Sequence, residues 1–213
     1  MIIDKTVIIS CAGMGNRLGA GIPKALVEVC GKPLIIKTLE MLRNVKDVRV
    51  VVGFQAQKVV DVVKNFRKDV TIVHNENYMN TGAAASVSLA MENTKEKVLI
   101  MVGDIIIHPE DMEKIINMDE EFVCGTTICS EMPIKLTMQR DSVVSIDREF
   151  GDYEWVGVCC LNASEVITGT KNIYQMVKPL LPKPFLYIRT KEIDTPEDLR
   201  NASEWVKNNY ESI

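Results

Sequence analysis

The chain predicts an α/β fold, with a mostly parallel sheet at the centre of a single domain spanning 1–213. Three observations predict it. Short apolar runs recur at 7–10, 48–52, 70–73 and 98–102, the pattern of strands covered on both faces. Helically spaced segments separate them, and strand–helix–strand alternation builds parallel sheets with right-handed crossovers. The first run opens into a loop carrying Gly13, Gly15, Gly19 and Gly21, at the edge where such sheets collect ligands.

Taken in order, residues 7–10 form the first strand. Residues 25–29 read as a brief strand and Gly31-Lys32 as a turn. Pro33 then takes the first position of a helix reaching about residue 43, with Leu34, Ile35, Leu39 and Leu42 on one side. A second strand over 48–52 leads to a helix over 55–66 with Val59, Val60, Val62 and Val63 inward, and a third strand follows over 70–73. Asn75, Asn77, Asn80 and Gly82 make a polar loop, where Asn80 or Thr81 caps a helix over 83–91. The fourth strand, 98–102, ends at Gly103-Asp104. Pro109 opens a helix to residue 117 whose acids Glu110 and Asp111 complement its dipole.

After a strand over 122–129 the pattern changes. Segments 135–140 and 143–147 flank Asp141-Ser142 as a hairpin. They mark a small antiparallel insertion over about 130–161, ending in an apolar strand over 156–161. A helix over 172–179 and a strand over 185–189 follow. Thr195 as N-cap, Pro196 at N1 and Asp198 at N3 then start a final helix to about residue 207.

Composition excludes several classes. The 213 residues are 46 % hydrophobic and 25 % charged, which are globular values. A net charge of −4 argues against a nucleic-acid surface. No apolar run has the length of a membrane span, and Met1-Ile2-Ile3-Asp4-Lys5 lacks the parts of a signal peptide. Both predict a cytoplasmic protein without membrane insertion. Six cysteines without a C-x-x-C pair and only two histidines argue against zinc. Most of the cysteines sit in strand-like segments as small core residues. Cys11, beside the glycine loop, is the one to test for reactivity.

The glycine loop carries the chemistry. Glycines let backbone N–H groups approach anionic oxygens, and Arg17 and Lys24 add full charges, so the loop predicts a polyphosphate site. A dinucleotide-binding reading needs an acid after the second strand to hold a ribose, and Gly53-Phe54-Gln55 supplies none. A turn-rich surface loop is the plainer alternative. Farther along, Tyr153, Glu154 and Trp155 put two aromatics beside a carboxylate. That composition suits a quaternary ammonium, and a core tryptophan at a strand start explains it equally.

The stretch Ala12-Gly13-Met14-Gly15-Asn16-Arg17-Leu18, then Pro23-Lys24-Ala25-Leu26, then Gly31-Lys32-Pro33-Leu34, resembles the signature of nucleotidyltransferases that join an NTP to a phosphorylated small molecule. Within them it is most similar to MobA-like and CTP:phosphocholine cytidylyltransferase-like members. The resemblance implies a Rossmann-like domain of the nucleotide-diphospho-sugar transferase kind, with mixed sheet. It implies that the amides of 12–16 and Arg17 hold the nucleotide phosphates, with Lys24 over the reacting phosphates. Asn75, Thr81, Gly82, Ala83 and Ser86 would contact base and ribose. Asp104 and Asp194 would bind Mg²⁺, and Tyr153, Glu154, Trp155 and Gly157 would line the acceptor pocket.

The implied partners are an NTP, with CTP favoured, and a phosphorylated small molecule, with phosphocholine first. Only Gly19-Ala20-Gly21-Ile22 separate Leu18 from Pro23. That spacing favours alcohol phosphates or molybdopterin over a sugar-1-phosphate, and Ile105-Ile106-Ile107 departs from the molybdopterin pattern. Inositol phosphate, a sugar-1-phosphate, a phosphonate and molybdopterin remain alternatives. From another class, a catalytically silent nucleotide sensor or a dinucleotide-binding module is the competing expectation.

Overall fold

The computed structural model describes residues 3–19 and 21–210. Met1 and Ile2 of the N-terminal reading and Ala20 of the short loop lie outside them. Strand β1 (Ile3–Cys11) buries Val7, Ile8 and Ile9 completely. The segment expected as a strand over 25–29 divides. A 3₁₀ turn takes Lys24–Leu26, and β2 (Glu28–Val29) pairs with β3 (Lys32–Pro33) across a turn in which Cys30 and Gly31 adopt positive φ. Pro33 therefore precedes helix α1 (Leu34–Met41) instead of opening it.

Strand β4 (Val45–Val52) starts before its apolar run because Val45 is also buried. In α2 (Ala56–Phe66), Val59 and Val63 are buried, and Val60 and Val62 are half-buried against the same core. After β5 (Thr71–His74), helix α3 (Ala83–Leu89) is shorter than expected, and neither Asn80 nor Thr81 caps it. Another segment of chain does so. Gly82 N donates to Thr170 O at 2.7 Å and Ala84 N to Lys171 O at 3.1 Å.

Then come β6 (Lys97–Val102), β7 (Ile105–Ile107), α4 (Pro109–Asn117) and β8 (Phe122–Thr126). The hairpin is β9 (Lys135–Gln139) and β10 (Ser142–Asp147), followed by β11 (Tyr153–Asn162). The chain ends with α5 (Ile173–Val177), β12 (Lys183–Tyr187), β13 (Thr190–Glu192) and α6 (Pro196–Tyr210).

Nine strands form one sheet in the order β5-β4-β1-β6-β11-β8-β12-β10-β9, and β9 also pairs with β11. Strand β11 is antiparallel to both β6 and β8, and β12 is parallel to β8. Strands β1, β4, β5, β6, β8 and β12 therefore run one way and share a carboxyl edge. The second half of β11 is a central strand, with Val158 opposite Met101 and Asn162 opposite Lys97. Helices α1, α2 and α4 cover one face, over Ile9, Val50 and Leu99, and α3 and α5 cover the other, over Ile8, Val51 and Ile100. Each such fully buried aliphatic side chain contributes about 2 kcal/mol. Helix α6 packs Ala202 and Val206 with Leu18, Ile106 and Ile193, which ties the glycine loop to the end of the chain. Among the described residues no helix is long and apolar enough to cross a membrane.

Two buried ions fasten α4. Lys5, on β1, donates from Nζ to Met118 O at 2.6 Å, at the helix's carboxyl end. Asp111, in its first turn, accepts from Arg189 N at 2.9 Å and Nε at 2.7 Å. Burial alone would raise the Asp111 carboxyl, but the Arg189 hydrogen bonds outweigh it and hold the group well below the usual carboxylate range. A depressed carboxylate stabilises the fold above its unfolded pKa of about 3.9 and loses that contribution as pH falls through the folded value. Arg189 is 40 % exposed, so removing Asp111 forfeits charged hydrogen bonds without leaving a buried charge behind. Asp111→Asn is expected to lose roughly 2 kcal/mol in urea unfolding at neutral pH, with the gap to wild type closing below about pH 4.

Candidate active site

The loop after β1 arches into solvent and returns to the core at Leu18, which is buried. Gly15 has φ 62°, and a Cβ on it would lie 2.5 Å from Lys24 Cγ. Glycine is needed there both for the left-handed backbone and to let the Lys24 stem pass beneath the loop. Ala12 is buried, while Gly13, Asn16 and Arg17 are exposed and Met14 is half-buried. Phe54 N donates to Ala12 O at 3.0 Å, so the end of β4 braces the start of the loop.

Lys24 points at two carboxylates. Its Nζ lies 3.0 Å from Asp104 Oδ2 and is hydrogen-bonded to Asp194 Oδ1. Arg17 Nη2 reaches Asp194 Oδ2 at 2.6 Å. Asp104 follows β6 on the carboxyl edge, and its carbonyl accepts from Ile193 N at 2.9 Å. Asp194 is placed by the start of α6, where Asp198 Oδ2 accepts from Thr195 N at 2.8 Å and Thr195 Oγ1 accepts from Asp198 N at 3.2 Å. That is the reciprocal cap expected from the sequence. Burial alone would lower the Lys24 ammonium's pKa, but Asp104 and Asp194 outweigh it and raise the value, so Lys24 is charged at neutral pH.

Glu192 joins this group. Oxygens of Asp104, Glu192 and Asp194 all lie within 4.8 Å of one another. Desolvation of its carboxyl, then the charges of Asp104 and Asp194, push Glu192 up to about 8. Three hard oxygen donors suit Mg²⁺, whose octahedral bonds of about 2.1 Å place ligand oxygens about 3 to 4.2 Å apart. The sequence reading missed Glu192. The signal was its place two residues before Asp194 in an extended segment, since residues i and i+2 of a strand face the same way.

The polar segment after β5 is organised from within. Asn75 is 3 % exposed and Ser86 1 %. Asn75 Nδ2 donates to Thr81 Oγ1 and Ser86 Oγ, both at 3.1 Å. These three side chains brace the loop, and the amide of Gly82 is bonded to the 170–171 segment. A cavity of about 390 Å³ lies between, lined by Asn75, Asn77, Thr81, Ala85, Thr168 and Thr170 among others.

Residues 7–128, more than half of the sequence, match the MobA-like NTP transferase domain. The chain belongs to this family. The chain is similar over its full length to an inositol-1-phosphate CTP transferase from T. maritima, at 20 % identity and TM-score 0.80, covering 99 % and 98 % of the two chains. It is similar to the CTP:phosphocholine cytidylyltransferase LicC of Streptococcus pneumoniae at 20 % identity and TM-score 0.75, covering 94 % and 98 %. At those identities the likeness establishes the shared fold. Among curated proteins, "Bifunctional protein GlmU" of a Nitratiruptor species is 27 % identical over 83 % of the chain and 42 % of the relative. The chain thus spans less than half the length of the curated relatives it matches.

In this member of the family the Tyr153, Glu154 and Trp155 cluster is divided by the strand. Tyr153 and Trp155 pack on the α3/α5 face, and Tyr153 stacks on Phe185 at 4.5 Å. Glu154 points the other way, is 6 % exposed, and accepts from Cys129 N at 2.8 Å and Ser130 N at 3.1 Å. Alternation along β11 keeps the three side chains from closing one cage. Gly157 has φ 73°, and a Cβ there would meet Val102 at 2.7 Å, so it marks the irregularity in the pairing of β11 with β8 between Trp155 and Cys159. Lys135 Nζ donates to Glu149 O at 3.0 Å. Cys11 is buried and its thiol is pushed up by burial and by Asp104, which removes the reactivity that its position by the loop suggested.

Proposed function

We propose that the protein transfers CMP from CTP to a small phosphorylated alcohol and releases pyrophosphate. The observation that carries this reading is the convergence of Lys24 and Arg17 with Asp104, Glu192 and Asp194 beneath a glycine loop on the sheet's carboxyl edge. Two of the structural neighbours are described as CTP-using transferases of alcohol phosphates, which supports the choice of base and acceptor class. A polyol phosphate such as inositol phosphate stands ahead of phosphocholine, because Glu154 is engaged by backbone amides and offers no counter-ion for a quaternary ammonium.

Phosphoryl-type transfer depends on positioning and charge neutralisation more than on proton movement. An ionised oxygen of the acceptor phosphate attacks the α-phosphorus in line. The new O–P bond forms as the bond to the bridging oxygen breaks, and that electron pair leaves with pyrophosphate. The loop amides and Arg17 hold the departing phosphates. Lys24 stabilises the charge that shifts across the α-phosphate. Asp104, Glu192 and Asp194 would hold Mg²⁺, which supplies further neutralisation of phosphate charge when bound. No general base is needed, because the attacking phosphate oxygen is already ionised.

The test is pyrophosphate release with Mg²⁺ and each NTP, crossed with inositol phosphate, phosphocholine, phosphoethanolamine and hexose-1-phosphates. Release with CTP and one alcohol phosphate is expected, and its loss in Asp104→Ala. A hexose-1-phosphate as the preferred acceptor overturns the acceptor class. Nucleotide binding by thermal shift with no release from any pair favours a silent sensor instead.

A further inference from the structure

Strand β8 ends at Thr126, and β9 begins at Lys135. Residues 127–134 between them leave the carboxyl edge that also carries the glycine loop and Asp104. This loop has little partnership with the sheet. Thr127 Oγ1 meets Tyr187 Oη at 3.2 Å at one end, and Ile134 O accepts from Trp155 N at 2.8 Å at the other. Its middle hangs mainly on one side chain, with Arg148 Nη1 adding a longer bond to Met132 O at 3.4 Å. The buried Glu154 carboxylate accepts Cys129 N at 2.8 Å and Ser130 N at 3.1 Å on Oε2, and the Ser130 hydroxyl on Oε1. Three charge-assisted hydrogen bonds on one enclosed carboxylate make a strong clasp. The loop so held presents Ile128, 39 % exposed, and Met132, 74 % exposed. Ile188 N donates to Gly125 O at 3.0 Å, just before the loop begins, and Glu192 follows only four residues later in the chain.

We propose that Glu154 is a positioning residue that clasps loop 127–134 as one wall of the acceptor pocket and does not touch the acceptor. This rests on the nucleotidyl-transfer reading. The wall presents the apolar side chains of Ile128 and Met132 beside the exposed carboxylate of Glu131, and the acceptor phosphate is the ionic handle taken by Lys24.

Ser130→Ala separates clasp from contact, because it leaves the Glu154 carboxylate intact. The experiment measures steady-state kinetics of Ser130→Ala, Glu154→Gln and the double variant. Beside it runs the reaction of Cys129 with an aromatic disulfide reagent in a Cys30→Ser background, where Cys129 is the remaining exposed thiol. Ser130→Ala is expected to raise the acceptor KM roughly tenfold, as for loss of one hydrogen bond to a charged group. The kcat and the CTP KM should stay within about twofold. Cys129 should react faster, and Glu154→Gln should add less in the double variant than alone. An acceptor KM that rises in Glu154→Gln but not in Ser130→Ala, with Cys129 unchanged, overturns the proposal in favour of direct contact. A faster Cys129 with every acceptor KM unchanged overturns the loop as a wall. If no pair of substrates reacts at all, the transfer reading fails by itself. The thiol arm then still decides the clasp, and an unchanged rate in Ser130→Ala refutes it.

Discussion

Lys24→Met is expected to lower the single-turnover rate of nucleotidyl transfer by about 1,000-fold, as for removal of a preorganised donor to transition-state charge. The same variant should bind Mg²⁺ more tightly than wild type when no nucleotide is present. Both effects come from the position of one ammonium. Lys24 is paired with Asp104 and Asp194, the acids that would hold the metal. Without phosphates to receive it, the lysine competes with any cation for those oxygens. Phosphates draw Lys24 and Arg17 away and so free the carboxylates, which couples nucleotide and metal binding with positive sign. Calorimetric Mg²⁺ titrations with and without CTP measure that coupling. Wild type should show a large gain in Mg²⁺ affinity from CTP, and Lys24→Met a small one. Equal gains in both proteins would mean that Lys24 does not guard the acids.

Gly82→Ala is expected to destabilise the protein by roughly 3 kcal/mol, at the large end for a small-to-large change in a packed site. The backbone at Gly82 is not strained, so conformation is not the reason. An added Cβ would lie 1.9 Å from Lys171 O and 2.6 Å from its carbonyl carbon. Backbone cannot swing aside as a side-chain tip can, so the 170–171 segment must retreat. That would break the bonds from Gly82 N and Ala84 N that cap α3. Urea unfolding reads the loss, and a raised nucleotide KM would report the disturbed cavity beside Thr81 and Ala85. A variant of wild-type stability would mean that the two segments are not locked together.

The architecture was legible wherever apolar periodicity was strong. The runs beginning at Val7, Val48 and Val98 became the central parallel strands, and the Thr195, Pro196 and Asp198 pattern became the start of α6 with its reciprocal cap. Long-range pairing was not legible. Nothing local to Asn80 or Thr81 says that Thr170 and Lys171 cap α3, and nothing in the hairpin says that β9 returns to β11. The Arg17, Lys24, Asp104 and Asp194 group came from the motif and its position on the sheet. Glu192 and the burial of Glu154 needed the geometry. Composition put Tyr153, Glu154 and Trp155 together, whereas strand alternation sends them to opposite faces.

The return of β9 to β11 gives the two halves of the sheet different fates. Strands β11, β8, β12, β10 and β9 close on themselves as a ring, while the glycine loop and β1, β4 and β6 form an open parallel half. Changes of length in the segments 127–134 and 148–152 would sit on the rim of that ring without exposing a strand edge or shifting the register of β1 against β6. Such a design separates tolerance by region: the open half keeps the fixed spacing of its glycine loop, and the ring can change its rim without disturbing it.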